Sequence, residues 1–228
     1  MSTVVKKTKR NKSGLFYSKK EEYINSFSHI AGAVGCIAAC GVYLQRCHAH
    51  GDKWAVAGMW LMLAGMLFSY LSSSVYHSLK HHNPLKKRFR QFDHAAIYWH
   101  IAGCYSPITL TVLREQGAWG WSLFAFVWLC TIAGTIVSFR EMETHSHIET
   151  VCYVVMGLSV VVAFKPLYSI SPSAVYWILA EGFFDIAGAA IYSFKSIRYA
   201  HSIFHFFILA ASVCHFVAVW QVFNVYFV

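Results

Sequence analysis

The sequence predicts an all-α, multi-pass membrane protein, built as a seven-transmembrane helix bundle. Hydrophobic residues make up 57% of the chain and charged residues only 13%. The apolar residues occur in runs of roughly 20, the length a helix needs to cross about 30 Å of hydrocarbon. The runs also lack the apolar and polar alternation of barrel strands. Helices satisfy every backbone N–H and C=O within one segment, as hydrocarbon requires.

Seven apolar runs define the predicted spans. They cover residues 25–46, 54–79, 92–113, 119–139, 148–168, 173–194 and 201–227. Aromatic residues expected at the outer membrane boundary are Trp54, Trp119, Trp121 and Tyr168. Short polar loops separate the runs, so we assign residues 1–22 to a basic tail and residues 23–228 to one transmembrane domain.

The basic residues are distributed unevenly between alternate loops, which predicts the orientation. Fifteen lysines and arginines lie in the tail and the even-numbered loops, whereas four lie in the odd-numbered loops. The positive-inside rule therefore places the N-terminus in the cytoplasm and the C-terminus outside. The net charge of +9 is then mainly topological. We expect no nucleic-acid partner, because the chain has no soluble basic domain with base-stacking aromatics.

Four polar residues fall at one predicted depth. His77 ends the second span, Asp93 opens the third, and His201 and His205 open the last. Ionisable side chains in hydrocarbon are costly unless they are paired or bound to a metal. His201 and His205 are four residues apart, so both imidazoles lie on one helix face and can reach a single ion. Imidazole and carboxylate groups are zinc ligands, and a site with three protein ligands leaves a position for water.

Each residue also has a simpler interpretation. A lone histidine near a helix end is usually an interfacial side chain, and Asp93 could cap the third helix. The coincidence of depth, residue type and spacing favours a Zn²⁺ site over these alternatives.

Three segments resemble the signature blocks of the hemolysin III and progestin-and-adiponectin-receptor family. They are S-S-S-V-Y-H at 72–77, F-D-H-A-A-I-Y-W-H-I-A-G-C-Y-S-P at 92–107 and H-S-I-F-H-F-F at 201–207. The opening E-Y-I-N-S-F-S-H at 22–29 is similar to the E-x-x-N-x-x-x-H start of that family, and the resemblance extends over residues 22–216.

The resemblance implies seven helices with a cytoplasmic N-terminus and a Zn²⁺ held by His77, His201 and His205. It also implies that Asp93 contacts the water at the metal, and that Ser73 matches the serine of an S-x-x-x-H element. The wider group includes ceramidases, so a ceramide-like membrane lipid is the expected substrate. Ser202 stands where the family often has an acidic residue.

The residues suggest hydrolysis of a lipid amide or ester. A three-histidine zinc site activates water and polarises a carbonyl. Asp93 would move the proton to the leaving amine, and Ser73 could hydrogen-bond to the developing oxyanion. Asn25 and His29, one turn apart in the first span, are expected either to hydrogen-bond to the metal ligands and orient them or to form hydrogen bonds between helices.

Glu181 and Asp185 lie deep in the sixth span, where acids are costly, and we expect them to line a hydrated cavity rather than to form a second metal site. Two further function classes stay open: a membrane receptor or membrane-homeostasis regulator with structural zinc, and a cytolytic, haemolysin-like protein. A pore fits less well, because no helix carries a repeated polar stripe. The plasma membrane is the expected location, and the oligomeric state is not predicted.

Overall fold

The computed structural model describes residues 17–140, 147–194 and 196–228, which contain eight α-helices and no strand. The helices are α1 (Lys19–Ala49), α2 (Lys53–Ser78), α3 (Leu85–Leu110), α4 (Trp119–Arg140), α5 (His147–Leu158), α6 (Phe164–Ile170), α7 (Pro172–Ser193) and α8 (Ala200–Tyr226). A 3₁₀ turn, Ser159–Ala163, joins α5 to α6. The prediction of an all-α fold is confirmed for the residues described.

Among the residues that the structure describes, six helical segments are long and apolar enough to cross a membrane. They are α1, α2, α4, the segment Glu149–Ile170, α7 and α8. Each coincides with one of the predicted spans. The remaining prediction, residues 92–113, overlaps α3, which is 26 residues long. Basic residues, Asp93 and two histidines make α3 less apolar than the other six.

Helix α3 is less apolar because it packs inside the bundle. It contacts α2, α4, α5 and α8, while the other helices follow one another around it and α8 closes onto α1. A helix surrounded by protein can keep polar side chains that would be costly against lipid, provided that they find partners.

The termini of the described chain lie at opposite ends of the bundle. At one end, the first turn of α1 meets the end of α2 and the starts of α3 and α8. At the other, here called the far end, the Tyr226 hydroxyl donates a hydrogen bond to Oδ2 of Asp52 at 2.7 Å. Asp52 Oδ1 also accepts hydrogen bonds from the first N–H groups of α2, so it caps that helix.

Helices α2 and α3 approach closely at Gly65. A Cβ atom placed on Gly65 would collide with the carbonyl oxygen of Trp99, and Gly103 faces it from α3. In lipid, helix association depends on such close packing, because burying apolar surface gives little advantage over contact with lipid.

A tyrosine on α3 forms hydrogen bonds with backbone groups at the point where the α-helical hydrogen bonding of α5 ends. The Tyr105 hydroxyl lies 2.6 Å from the carbonyl oxygen of Gly157 and accepts a hydrogen bond from Val160 N at 2.8 Å. Unsatisfied backbone groups are costly in hydrocarbon. Tyr105 therefore stabilises the 3₁₀ turn and fixes α5 against α3.

Candidate metal centre

The structure brings together the three histidines expected to bind metal, which we call the histidine tripod (His77, His201 and His205). Nε2 of His201 lies 3.0 Å from Nε2 of His77 and 3.0 Å from Nε2 of His205. His77 and His205 are buried, at 2% and 1% exposure. One ligand atom from each of the three lies within 4.8 Å of the other two.

The donor set fits a zinc ion. Bonds of about 2.0–2.1 Å in a tetrahedral site separate nitrogen ligands by about 3.3 Å, close to the observed 3.0 Å. Three nitrogen lone pairs directed at one point repel one another unless a cation lies between them. The tripod residues are therefore suited to holding a metal ion, and three ligands leave a fourth position free of protein.

In His77 and His205, a hydrogen bond to Nδ1 on the outer edge of the ring determines that Nε2 points toward the centre of the tripod. Nδ1 of His77 donates to Oε2 of Glu22 at 2.6 Å. Nδ1 of His205 donates to the carbonyl oxygen of Asn25 at 3.1 Å. With a proton on each Nδ1, the Nε2 atoms are the free ligands, an arrangement common among metal-binding histidines.

Glu22 is the functional residue that sequence reasoning missed. It was assigned to the tail, although it opens the E-x-x-N-x-x-x-H block, because the apolar run begins only at residue 25. The structure begins α1 at Lys19, with Ser18 and Glu21 forming a capping box. The assigned tail up to residue 16 lies outside the described residues.

Lys86 also differs from its expected place. It was counted among the basic loop residues, but it is 9% exposed in the first turn of α3. Its Nζ donates to Oε1 of Glu22 at 2.9 Å and to the carbonyl oxygens of Tyr76 and Leu79. The ammonium group thus caps the end of α2 and holds Glu22 against His77.

Asn25 and His29 both contact the tripod, by different means. The carbonyl of Asn25 accepts from His205, and its side-chain Oδ1 accepts from the Ser202 hydroxyl at 2.6 Å. His29 stacks on His205 with ring centroids 3.7 Å apart. Ser202, noted as a departure from the family pattern, therefore connects α8 to α1 beside the tripod.

Asp93 and Ser73 lie on the wall of a cavity of about 460 Å³ that also includes His201 and His205. Tyr17 and Tyr192 pack against His201 at this end of the cavity. The ring centroids of both tyrosines lie near that of His201, at 4.7 and 5.2 Å. Burial raises the pKa of Tyr17, so its hydroxyl stays protonated beside the tripod.

The cavity continues from the tripod along α3, α5 and α7. Leu179, Phe183 and Ile186 of α7 and Val161 of the 3₁₀ turn line it and are also exposed on the outside of the bundle. The cavity therefore opens sideways between α7 and the segment that follows α5. Its volume is in the range of small-molecule sites.

The fold and the site define a class: helical multi-pass membrane proteins with a buried cluster of histidines able to hold a metal. The chain belongs to the haemolysin-III-related family, whose sequence profile matches residues 17–216. The resemblance to the hemolysin III and progestin-and-adiponectin-receptor family is thereby confirmed.

Relatives from bacteria and animals match over most of their length. Hemolysin-3 of Bacillus cereus is 34% identical over 201 residues, 88% of this chain and 90% of the relative. The Hemolysin-3 homolog of Bacillus subtilis (strain 168) is 31% identical over 204 residues, 89% of this chain and 94% of the relative. Monocyte to macrophage differentiation factor of Homo sapiens is 28% identical over 183 residues, 75% of this chain and 72% of the relative.

Proposed function

We propose that this protein is a zinc-dependent hydrolase of membrane lipid amides, with ceramide-like substrates. The observation that carries the proposal is that two histidines of the tripod, His201 and His205, line the same cavity as Asp93 and Ser73. In the proposed topology, the chain crosses the plasma membrane seven times, α3 included, with the tripod near the cytoplasmic side.

His77, His201 and His205 would hold the zinc ion. Zinc in such a site supplies a Lewis acid and lowers the pKa of water toward neutrality. Glu22 and Asn25 support the tripod by accepting hydrogen bonds from the Nδ1–H groups of His77 and His205. These contacts keep the Nε2 atoms oriented before substrate arrives.

Asp93 is the proposed general base and acid. Its carboxylate would accept a proton from the attacking water and then return it to the nitrogen of the amide, so that the C–N bond breaks with a neutral amine leaving. The Ser73 hydroxyl would donate a hydrogen bond to the substrate oxygen as negative charge develops there. Both side chains line the cavity that His201 and His205 also line.

The lateral opening suits a substrate that arrives from the bilayer. An acyl chain could enter past Leu179 and Phe183, which lie both in the cavity and on the outer surface. The polar head of the lipid would then reach Asp93.

A second candidate is a receptor or membrane-homeostasis regulator in which zinc is structural. The network of Glu22, His77 and Lys86 favours it, because these residues tie α1, α2 and α3 together at the tripod. A zinc ion joining α2 to α8 would complete that connection. In such a site, Asp93 would serve as a fourth ligand and the metal would have no open position.

Asp93→Asn separates the two candidates. For the hydrolase, purified Asp93→Asn should keep its zinc and its thermal stability while ceramide hydrolysis falls by about 10²- to 10⁴-fold. For structural zinc, the variant should lose zinc, and the unmodified protein should turn over no lipid. Asp52→Asn, the same change at the far end, is the matched control and should leave zinc and hydrolysis unchanged.

A further inference from the structure

A second group of potential metal ligands lies in the middle of the bundle, which we call the mid-bundle cluster (Cys104, Glu181 and His215). Nδ1 of His215 lies 2.8 Å from Oε2 of Glu181, and the Cys104 thiol lies next to both. One ligand atom of each residue lies within 4.8 Å of the others. The residues come from α3, α7 and α8.

This cluster is separate from the histidine tripod. His215 lies ten residues after His205 on α8, which corresponds to about 15 Å along the helix axis. Metal ions that act together in one binuclear centre are about 3.5–4 Å apart. An ion in the mid-bundle cluster would thus be a second site and not the partner of an ion in the tripod.

The cluster is buried and incompletely satisfied. Cys104 is 5% exposed and His215 is 4% exposed, and Nε2 of His215 is buried without a hydrogen-bond partner. Unpaired polar atoms are costly at such a depth. Glu181 and Asp185 also line the cavity, which gives an ion a route from the membrane boundary.

We propose that Cys104, Glu181 and His215 bind a second divalent metal ion of the zinc class. Thiolate, carboxylate and imidazole are all zinc ligands, and mixed sets of the three occur in tetrahedral sites. The Asp185 carboxyl, one turn from Glu181 on α7, lines the same cavity but lies outside this ligand set. From the sequence alone we expected Glu181 and Asp185 to line a cavity, because the sequence does not reveal that Cys104 and His215 lie beside Glu181.

Charge balance supports an ion at this position. Binding requires the Cys104 thiol to lose its proton and the His215 imidazole to be neutral, so protons are released. The thiolate and the Glu181 carboxylate then carry two negative charges, which a divalent cation neutralises. A neutral assembly costs far less in the membrane interior than separated charges.

Cobalt is a suitable probe because only one of the two sites contains sulfur. Cobalt(II) bound to a thiolate absorbs in the near ultraviolet through charge transfer from sulfur, whereas the all-histidine tripod lacks this band. The full-length protein, stripped of metal and titrated with Co²⁺, should show the band. His201→Ala should keep the band, because it affects the tripod alone.

Cys104→Ser should abolish the band, and total zinc should fall from about two ions per chain to about one. Cys47→Ser is the matched control, since Cys47 is also a buried thiol but lies near the far end. This substitution should change neither the sulfur band nor the zinc content. Thermal unfolding checks that both variants are folded. A wild-type protein with one ion per chain and no sulfur band would overturn the proposal. So would a band that survives in Cys104→Ser.

Discussion

The carboxylate of Glu22 accepts a hydrogen bond from Nδ1 of His77 at 2.6 Å, across 55 residues of sequence. This contact orients a tripod histidine, and Lys86 holds the same carboxylate from its other oxygen. Carboxylate partners of this kind raise the basicity of a metal-binding imidazole. The proposed metal site would therefore depend on Glu22, which contacts the edge of the His77 ring opposite Nε2.

Glu22→Gln tests that dependence. The amide can still accept a hydrogen bond, but it loses the negative charge facing His77 and Lys86. We expect zinc affinity to fall by about 10- to 100-fold, the usual effect of removing such a partner. Competition with a chromophoric chelator measures the affinity. Glu21→Gln is the matched control, because Gln can keep the capping box with Ser18. Equal affinities in the two variants would contradict the role of Glu22.

The proposed topology can be tested at two lysines that we expect on opposite sides of the membrane. Both Lys53 and Lys87 are exposed in the structure. In intact cells, a membrane-impermeant thiol reagent should label Lys53→Cys and not Lys87→Cys, relative to the parent chain. After permeabilisation, both should react. Labelling of Lys87→Cys in intact cells would reverse the orientation, and labelling of both would change the number of spans.

Close packing of α2 against α3 predicts different outcomes for two glycine substitutions. A Cβ on Gly65 would collide with the backbone of Trp99, whereas a Cβ on Gly41 meets no atom within 4 Å. Gly65→Ala should destabilise the protein by about 1–3 kcal/mol through overpacking. Gly41→Ala should be neutral or stabilising by up to about 1 kcal/mol, because Ala favours the helix. Thermal unfolding in one detergent compares the two, and equal shifts would refute the close approach.

The Asp52 cap predicts a loss of stability in acid. Burial alone would raise the pKa of Asp52, but hydrogen bonds from the Tyr226 hydroxyl and from the first N–H groups of α2 lower it below the ordinary value of 3.8. A lowered pKa means that the stabilisation is complete above the unfolded value and is lost as the pH falls through the folded value.

The melting temperature of the wild type should therefore fall more steeply than that of Asp52→Asn between about pH 6 and about pH 3. The two proteins should differ most near neutral pH and converge in acid. Parallel pH profiles would show that the Asp52 charge does not stabilise the far end.

The sequence by itself determined the all-α class and the approximate spans, because hydropathy and helix length are local properties that the bilayer selects directly. The pairing of His201 with His205 was also readable, since four residues make one helical turn. The basic residues of the second loop, by contrast, suggested that Lys86 lies in that loop, whereas in the structure α3 has already begun there and the side chain is buried.

Only the tertiary structure decided which side chains face one another inside the bundle. In water, an amphipathic pattern marks the buried face of a helix. In lipid, both faces are apolar, and the pattern that would identify the inner face is weak. The contact of Glu22 with His77 and the meeting of Cys104, Glu181 and His215 therefore depend on helix rotation and packing. The close approach at Gly65 and the central place of α3 set that packing.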